Sequence, residues 1–125
     1  MYSTAAVSLI AAIAGDKNEV HIVNCQNKGA ILDLPEDAVV EVPCVIGADG
    51  ARPLTVGRLP VVIRGLVQSV KAYEQLTVEA AVSGDRQTAL LALMSHPLVP
   101  SFGVARALLN AILEANSDYL PQFFV

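Results

Sequence analysis

The stretch AVVEVPCVIGADGARPLTVG leaves the chain little choice but to pair with itself. Two extended runs, Val39–Ile46 and Ala51–Val56, flank Asp49-Gly50, a dipeptide that suits tight hairpins because glycine accepts a left-handed backbone without steric cost. Pro43 has no N–H to give to a ladder, which predicts that its strand is an edge strand or carries a bulge at that point. Upstream, Glu19-Val-His-Ile-Val-Asn24 alternates polar and apolar residues, as a strand with one wet face does. A small, mainly antiparallel sheet is the expectation.

Helices fill the rest. Residues 3 to 14 read as a helix with Ser3 or Thr4 as cap, Val7, Ile10 and Ala14 along one face, and Gly15 as its end. That helix is apolar nearly all round, which predicts burial on more than one side. Asp16–Asn18 is a turn, Gln26–Gly29 breaks the first strand, and Ile31–Asp37 is a loop around Pro35. Pro60 suits the first turn of a long helix to residue 83, with Ile63, Leu66, Val67, Val70 and Tyr73 at helical spacing. Gly84 breaks it, Asp85 can cap a short helix over Gln87–Ser95, and Ser101 can cap a last one over Val104–Asn116. An aromatic tail, Tyr119 to Phe124, follows. The fold class is therefore α+β: one module of about four helices and a small sheet, with no internal repeat and no linker.

Composition narrows the function. Residues of the AVILMFWYC set make up 54% of the 125 residues, charged residues only 16%, and mean hydropathy is +0.52. An ordinary soluble domain carries roughly 25% charged residues. A domain this small needs more polar cover than a large one, so part of its apolar surface is expected to face another protein surface. No apolar run reaches the roughly 20 residues that cross a bilayer, and the opening lacks the basic stretch of a secretory signal, so no membrane and a cytoplasmic location are expected. Net charge is −4 with scattered Lys and Arg, which argues against nucleic acid.

No self-contained active site emerges from the residues. There is no glycine-rich nucleotide loop; Gly47-Ala-Asp-Gly50 reads as hairpin punctuation. Neither Cys-x-x-Cys nor His-x-x-x-His occurs, so metal-ligand spacing is absent. Cys25 and Cys44 read as reduced, buried thiols, and a disulfide between them is allowed but not demanded. His21 and His96 read as structural hydrogen-bonding residues, and Glu36-Asp37 as a solvated loop. Tyr2, with an ordinary phenol pKa of about 10, is by residue chemistry a packing aromatic and a poor base.

A resemblance changes that balance. MYSTAAVSLIAAI, HIVNCQNKGAILDLPEDAVVEVP, VKAYEQLTVEAAVSGD and ALMSHPLV resemble, in order and spacing, the C-terminal part of glycoside hydrolase family four, most of all its 6-phospho-β-glucosidases. The pattern Asn24…Asn27-x-Gly29-Ala30-Ile31…Leu34-Pro35-x-Asp37-x-Val39-x-Glu41-x-Pro43 is specific. The resemblance implies a lactate/malate dehydrogenase-like C-terminal domain spanning residues 1–125. The N-terminal NAD-binding Rossmann domain would then be absent, and Met1 would mark a cut made by proteolysis or by fragment expression rather than a natural start.

The same resemblance implies chemistry that departs from the two-carboxylate scheme of most glycosidases. The sugar is oxidised at C3 by NAD, a base removes the acidified C2 proton, the glycosidic oxygen leaves, water adds, and the ketone is reduced again. A divalent metal, manganese, holds the C2 and C3 oxygens. By position, Tyr2 matches the family's base. Asn24 and Asn27 are the candidates to line the sugar-phosphate pocket, although Gln26 stands where some relatives carry arginine. The metal ligands belong to the absent half, so neither NAD nor metal is expected on this chain alone. Its expected partners are the missing domain, a second copy in a homo-oligomer and, in the whole enzyme, a phospho-disaccharide; the isolated chain is expected to be inactive. The alternative is a stand-alone, non-catalytic self-association module using helix 60–83 and the aromatic tail.

Overall fold

The computed structural model describes residues 2–125, with side chains from residue 3 onward. The chain gathers into two compact units, one ending at Pro60 and one running from Val61 to Val125.

The first unit comprises helix α1 (Tyr2–Ala14) and strands β1 (Glu19–Gln26), β2 (Val39–Gly47) and β3 (Gly50–Pro53). The strands form one antiparallel sheet in the order β1-β2-β3. Alternation along β2 turns Val40, Val42, Cys44 and Ile46 into the core, where they meet Ala12 of α1 and the loop residues Ala30 and Ile31. The opposite face carries Val20 across from Val45 and Asn24 across from Glu41, and on it Ile22 is 68% exposed.

Four expectations change here. Pro43 lies in the central strand, not at an edge. Leu54 N–H donates to Pro43 C=O at 2.9 Å, so the missing Pro43 N–H points to the same side, where β3 has already ended at Pro53. The hairpin turns at Ala48-Asp49, with Gly47 paired to Gly50 and Gly50 at φ +94°, so β3 is shorter than the apolar run to Val56 predicted. Helix α1 begins at Tyr2, which puts Ser3 and Thr4 inside it rather than at its cap. Its Val7 and Ile10 are exposed, because only Leu9 and Ala12 reach the core.

The second unit is helical: α2 (Val61–Ser83), α3 (Arg86–Ser95), α4 (Phe102–Ala115) and two short 3-10 turns, Ser117–Tyr119 and Pro121–Phe124. Both expected caps are present. Asp85 accepts from the Gln87 and Thr88 N–H groups, and Ser101 Oγ accepts from Val104 N–H. Ala80, Ala89, Leu109, Leu113 and Phe123 form the core. The aromatic tail is thus structural: Phe123 is buried, and Gln122 Nε2 donates to Ala81 C=O at 2.8 Å. At the start of α2, Val61 is 83% and Val62 89% exposed.

Candidate functional site

The segment Asn24–Gly29 closes β1 and opens the loop that carried the sugar-side expectation. Its backbone is tied across the loop, Asn27 N–H to Ala38 C=O at 2.8 Å and Lys28 N–H to Glu36 C=O at 2.9 Å. Lys28 (φ +47°) and Gly29 (φ +81°) then turn the chain through left-handed backbone, a conformation a glycine supplies freely and a lysine only under constraint. Asn24 is exposed on the open face of the sheet.

Asn27 behaves differently from that expectation. Its side chain is 0% exposed. Nδ2 donates to the carbonyls of Ile31 (2.9 Å), Leu34 (3.1 Å) and Pro35 (3.0 Å), while Oδ1 accepts from Ile31 N–H at 2.7 Å. An amide has two N–H donors, and three carbonyls already share them. The group therefore has no donor to turn toward a sugar phosphate without opening the loop; it is the frame of the segment rather than its face.

A second clamp was not visible in the sequence. Asp33, with its side chain 5% exposed, accepts from Leu59 N–H at 2.7 Å and from Arg58 Nη1 at 3.1 Å. Together with Val56 and Gly57 N–H to Ala30 C=O and Leu32 N–H to Gly57 C=O, it straps residues 54–59 along residues 30–33. Asp33 lies within the loop Ile31–Asp37, and only the fold brings Arg58 and Leu59 beside it.

The remaining candidates are placed as follows. Tyr2 opens α1, and its side chain lies outside the described residues. Cys25 and Cys44 are free thiols with their sulfurs 3.5 Å apart. Burial, then the hydrogen bond and charge of Cys25, push the Cys44 thiol up to about 11, so it stays protonated and is a poor nucleophile. His21 Nε2 lies 3.5 Å from Glu19 Oε2. The His96 ring meets Tyr73 edge-on at 4.6 Å, and its Nδ1 accepts from Leu98 N–H. Among the described residues, no three His, Cys, Asp or Glu side chains come together to hold a metal ion.

The sequence profile of the family 4 glycosyl hydrolase C-terminal domain matches residues 2–99. The chain belongs to glycosyl hydrolase family 4. A probable 6-phospho-beta-glucosidase of Bacillus subtilis (strain 168) is 53% identical over 123 residues, covering 98% of this chain and 28% of that protein. Two solved members share the fold. The 6-phospho-beta glucosidase from Thermotoga maritima, solved with manganese, NAD+ and glucose-6-phosphate, superposes at TM-score 0.87 and 42% identity, over 96% of this chain and 30% of that one. A 6-phospho-alpha-glucosidase from gut microorganisms, in complex with NAD and Mn2+, superposes at TM-score 0.91 and 33% identity, over 97% and 28%.

The chain thus spans less than a third of the length of the family 4 relatives it matches. The donor set among the described residues does not fit a metal, and the sequence has no glycine-rich loop for a dinucleotide. No helix among the described residues is long and apolar enough to cross a membrane.

Proposed function

We propose that this chain is the substrate-side and oligomer-forming part of a 6-phospho-glycosidase, most akin to the 6-phospho-β-glucosidases, and is inert without the rest of that enzyme. NAD and manganese would sit on the part of the enzyme that this chain does not span. The reading rests on one observation: relatives that act on 6-phospho-glucosides match this chain almost end to end while running more than three times its length. Exposed apolar residues at the start of α2 and along α1 support it, since a partner surface would cover them.

Within that enzyme the chain's own residues have distinct tasks. Tyr2, at the first turn of α1, is the base that takes the C2 proton of the sugar; a helix start holds such a group more firmly than a free loop. Asn24 presents its amide to the sugar from the open face of β1. Asn27 contributes by fixing the loop, so that the backbone of residues 24–29 keeps one shape. These are the groups through which the chain binds, orients and moves a proton.

Complementation tests the reading. The chain is co-expressed with the segment of the Bacillus subtilis relative that precedes its matched part, then assayed on an aryl 6-phospho-β-glucoside with NAD+ and manganese. Cleavage by the pair, none by the chain alone, and loss of cleavage with Tyr2→Phe while the pair stays assembled are expected. Turnover by the chain alone would refute the proposal, as would an assembled pair with no activity.

A further inference from the structure

The tip of the β2–β3 hairpin carries chemistry that the sugar-side reading does not use. The ladder between these strands runs from Cys44 with Pro53 to Gly47 with Gly50, and the chain turns beyond its last pair at Ala48-Asp49. The Asp49 side chain is 89% exposed. Its one ion pair, with Arg52 at 3.7 Å, joins two solvated groups and holds the carboxylate only weakly. Gly50 follows at φ +94°, and a Cβ placed on it would meet nothing within 4 Å. The peptide nitrogen between the two residues therefore has no side chain beyond it and open space around it.

We infer that the Asp49–Gly50 link is a site of backbone isomerisation, where the chain passes through a succinimide into a β-linked isoaspartate. This is a modification independent of the glycosidase reading. The Gly50 nitrogen bonds to Asp49 Cγ and gives up its proton, and a carboxyl oxygen leaves as water, which closes the ring. Water then adds at the former Asp49 main-chain carbonyl and breaks its bond to the nitrogen. Gly50 is left joined through the side-chain carbonyl, with a free α-carboxylate in place of the old link. No oxidant or reductant is consumed.

None of the other aspartates combines these features. Asp16 and Asp33 hold the Ala48 and Leu59 N–H groups at 2.8 and 2.7 Å. Asp85 caps α3 and precedes Arg86, while Asp37 and Asp118 precede Ala38 and Tyr119. A side chain on the following residue crowds the attacking nitrogen and narrows the torsions that bring it to the carboxyl; glycine does neither. The last rung of a short ladder is also where local opening costs least. The product adds a methylene to the backbone between Asp49 and Gly50. That takes Gly50 out of its pairing with Gly47 and strains the Ala48 N–H bond to Asp16. The new α-carboxylate is the group that an S-adenosylmethionine-dependent isoaspartyl methyltransferase accepts.

Ageing the folded 125-residue chain at physiological temperature and pH tests this, with samples methylated by such an enzyme and labelled S-adenosylmethionine. Label should accumulate on the peptide that contains residues 49 and 50, preceded by a species lighter by one water, and electron-transfer fragmentation should place the isoaspartate at residue 49. Asp49→Glu keeps the charge at an exposed tip but must close a larger ring, so it should lose the label with its circular dichroism unchanged. A synthetic peptide of residues 47–52 serves as the positive control. Label on that peptide but none on the folded chain would overturn the inference. So would label that persists in Asp49→Glu, or that is spread equally over the other aspartates.

Discussion

Asn27 and Ile31 are joined twice, the Asn27 Oδ1 accepting the Ile31 N–H at 2.7 Å and the Asn27 Nδ2 donating to the Ile31 C=O at 2.9 Å. The pair closes the loop on itself in a place water does not reach. Asn27→Ala leaves a buried N–H and several carbonyls without partners, and should lower stability by about 3 kcal/mol. Asn27→Asp should be worse at neutral pH, since it turns an anion toward three carbonyl oxygens. Urea unfolding midpoints at constant slope measure both, and a loss below about 1 kcal/mol for the alanine variant would show that the loop does not depend on this amide.

Cys44 sets an alkaline limit. Its thiol is pushed from the ordinary 9.0 up to about 11 on folding, so the native state keeps a proton that the unfolded chain has released. The stabilisation is complete below pH 9 and is lost as pH rises from about 9 to 11. Cys44→Ala should flatten that part of the stability–pH curve, read by thermal unfolding across a buffer series. A variant whose curve keeps the wild-type slope would contradict the assignment.

Acid acts through Asp85. Hydrogen bonds from the Thr88 hydroxyl, then from the Thr88 and Gln87 N–H groups, hold its carboxyl below the ordinary range. The stabilisation is present above the ordinary carboxylate pKa and is lost as pH falls through the lowered one. Amide exchange in the first turn of α3 should quicken on acidification and in Asp85→Ala, while Asp85→Asn, which can still cap, should retain most of the protection.

Gly84 cannot be replaced. Its φ is +74°, and a Cβ there would stand 2.1 Å from the Gln122 carbonyl oxygen. Gly84→Ala should therefore cost about 2 kcal/mol or more through backbone strain and displacement of the tail. Faster chymotryptic clipping near Tyr119 would report the same event.

Val61 and Val62 test the partner surface. Both are largely exposed, so Val61→Lys with Val62→Lys should change stability by no more than about 0.5 kcal/mol. The same double variant should reduce self-association in light scattering and weaken assembly with the N-terminal part of a family 4 enzyme. Unchanged association would place the interface elsewhere.

Local signals read well from the sequence wherever one residue type does one job. Asp85 and Ser101 cap the helices they were expected to cap, and the runs Glu19–Asn24 and Val39–Ile46 are strands, but along β1 the alternation misleads: Val20 and Ile22 lie on the exposed face and Val23 packs on the core. Long-range consequences did not. Periodicity placed Ile63 and Leu66 on one helical stripe with Val67, but could not say that Ile63 and Leu66 would stay 42% and 56% exposed. Asn27 was marked by its motif, yet its partners are carbonyls four to eight residues on, which only the folded loop assembles. Asp33 gave no local signal, because its partners arrive 25 and 26 residues later.

One imino acid steers much of this. With no hydrogen on its nitrogen, Pro43 can take the Leu54 N–H but cannot return the bond, so the β2–β3 ladder unzips at that rung. The chain that leaves is free to swerve, and it does so straight to Ala30, where Val56 and Gly57 dock. An ordinary residue at position 43 would let the hairpin lengthen and carry residues 54–57 away from the loop they now brace. The shape of the loop at residues 27–35 is thus governed in part by a missing atom on the neighbouring strand.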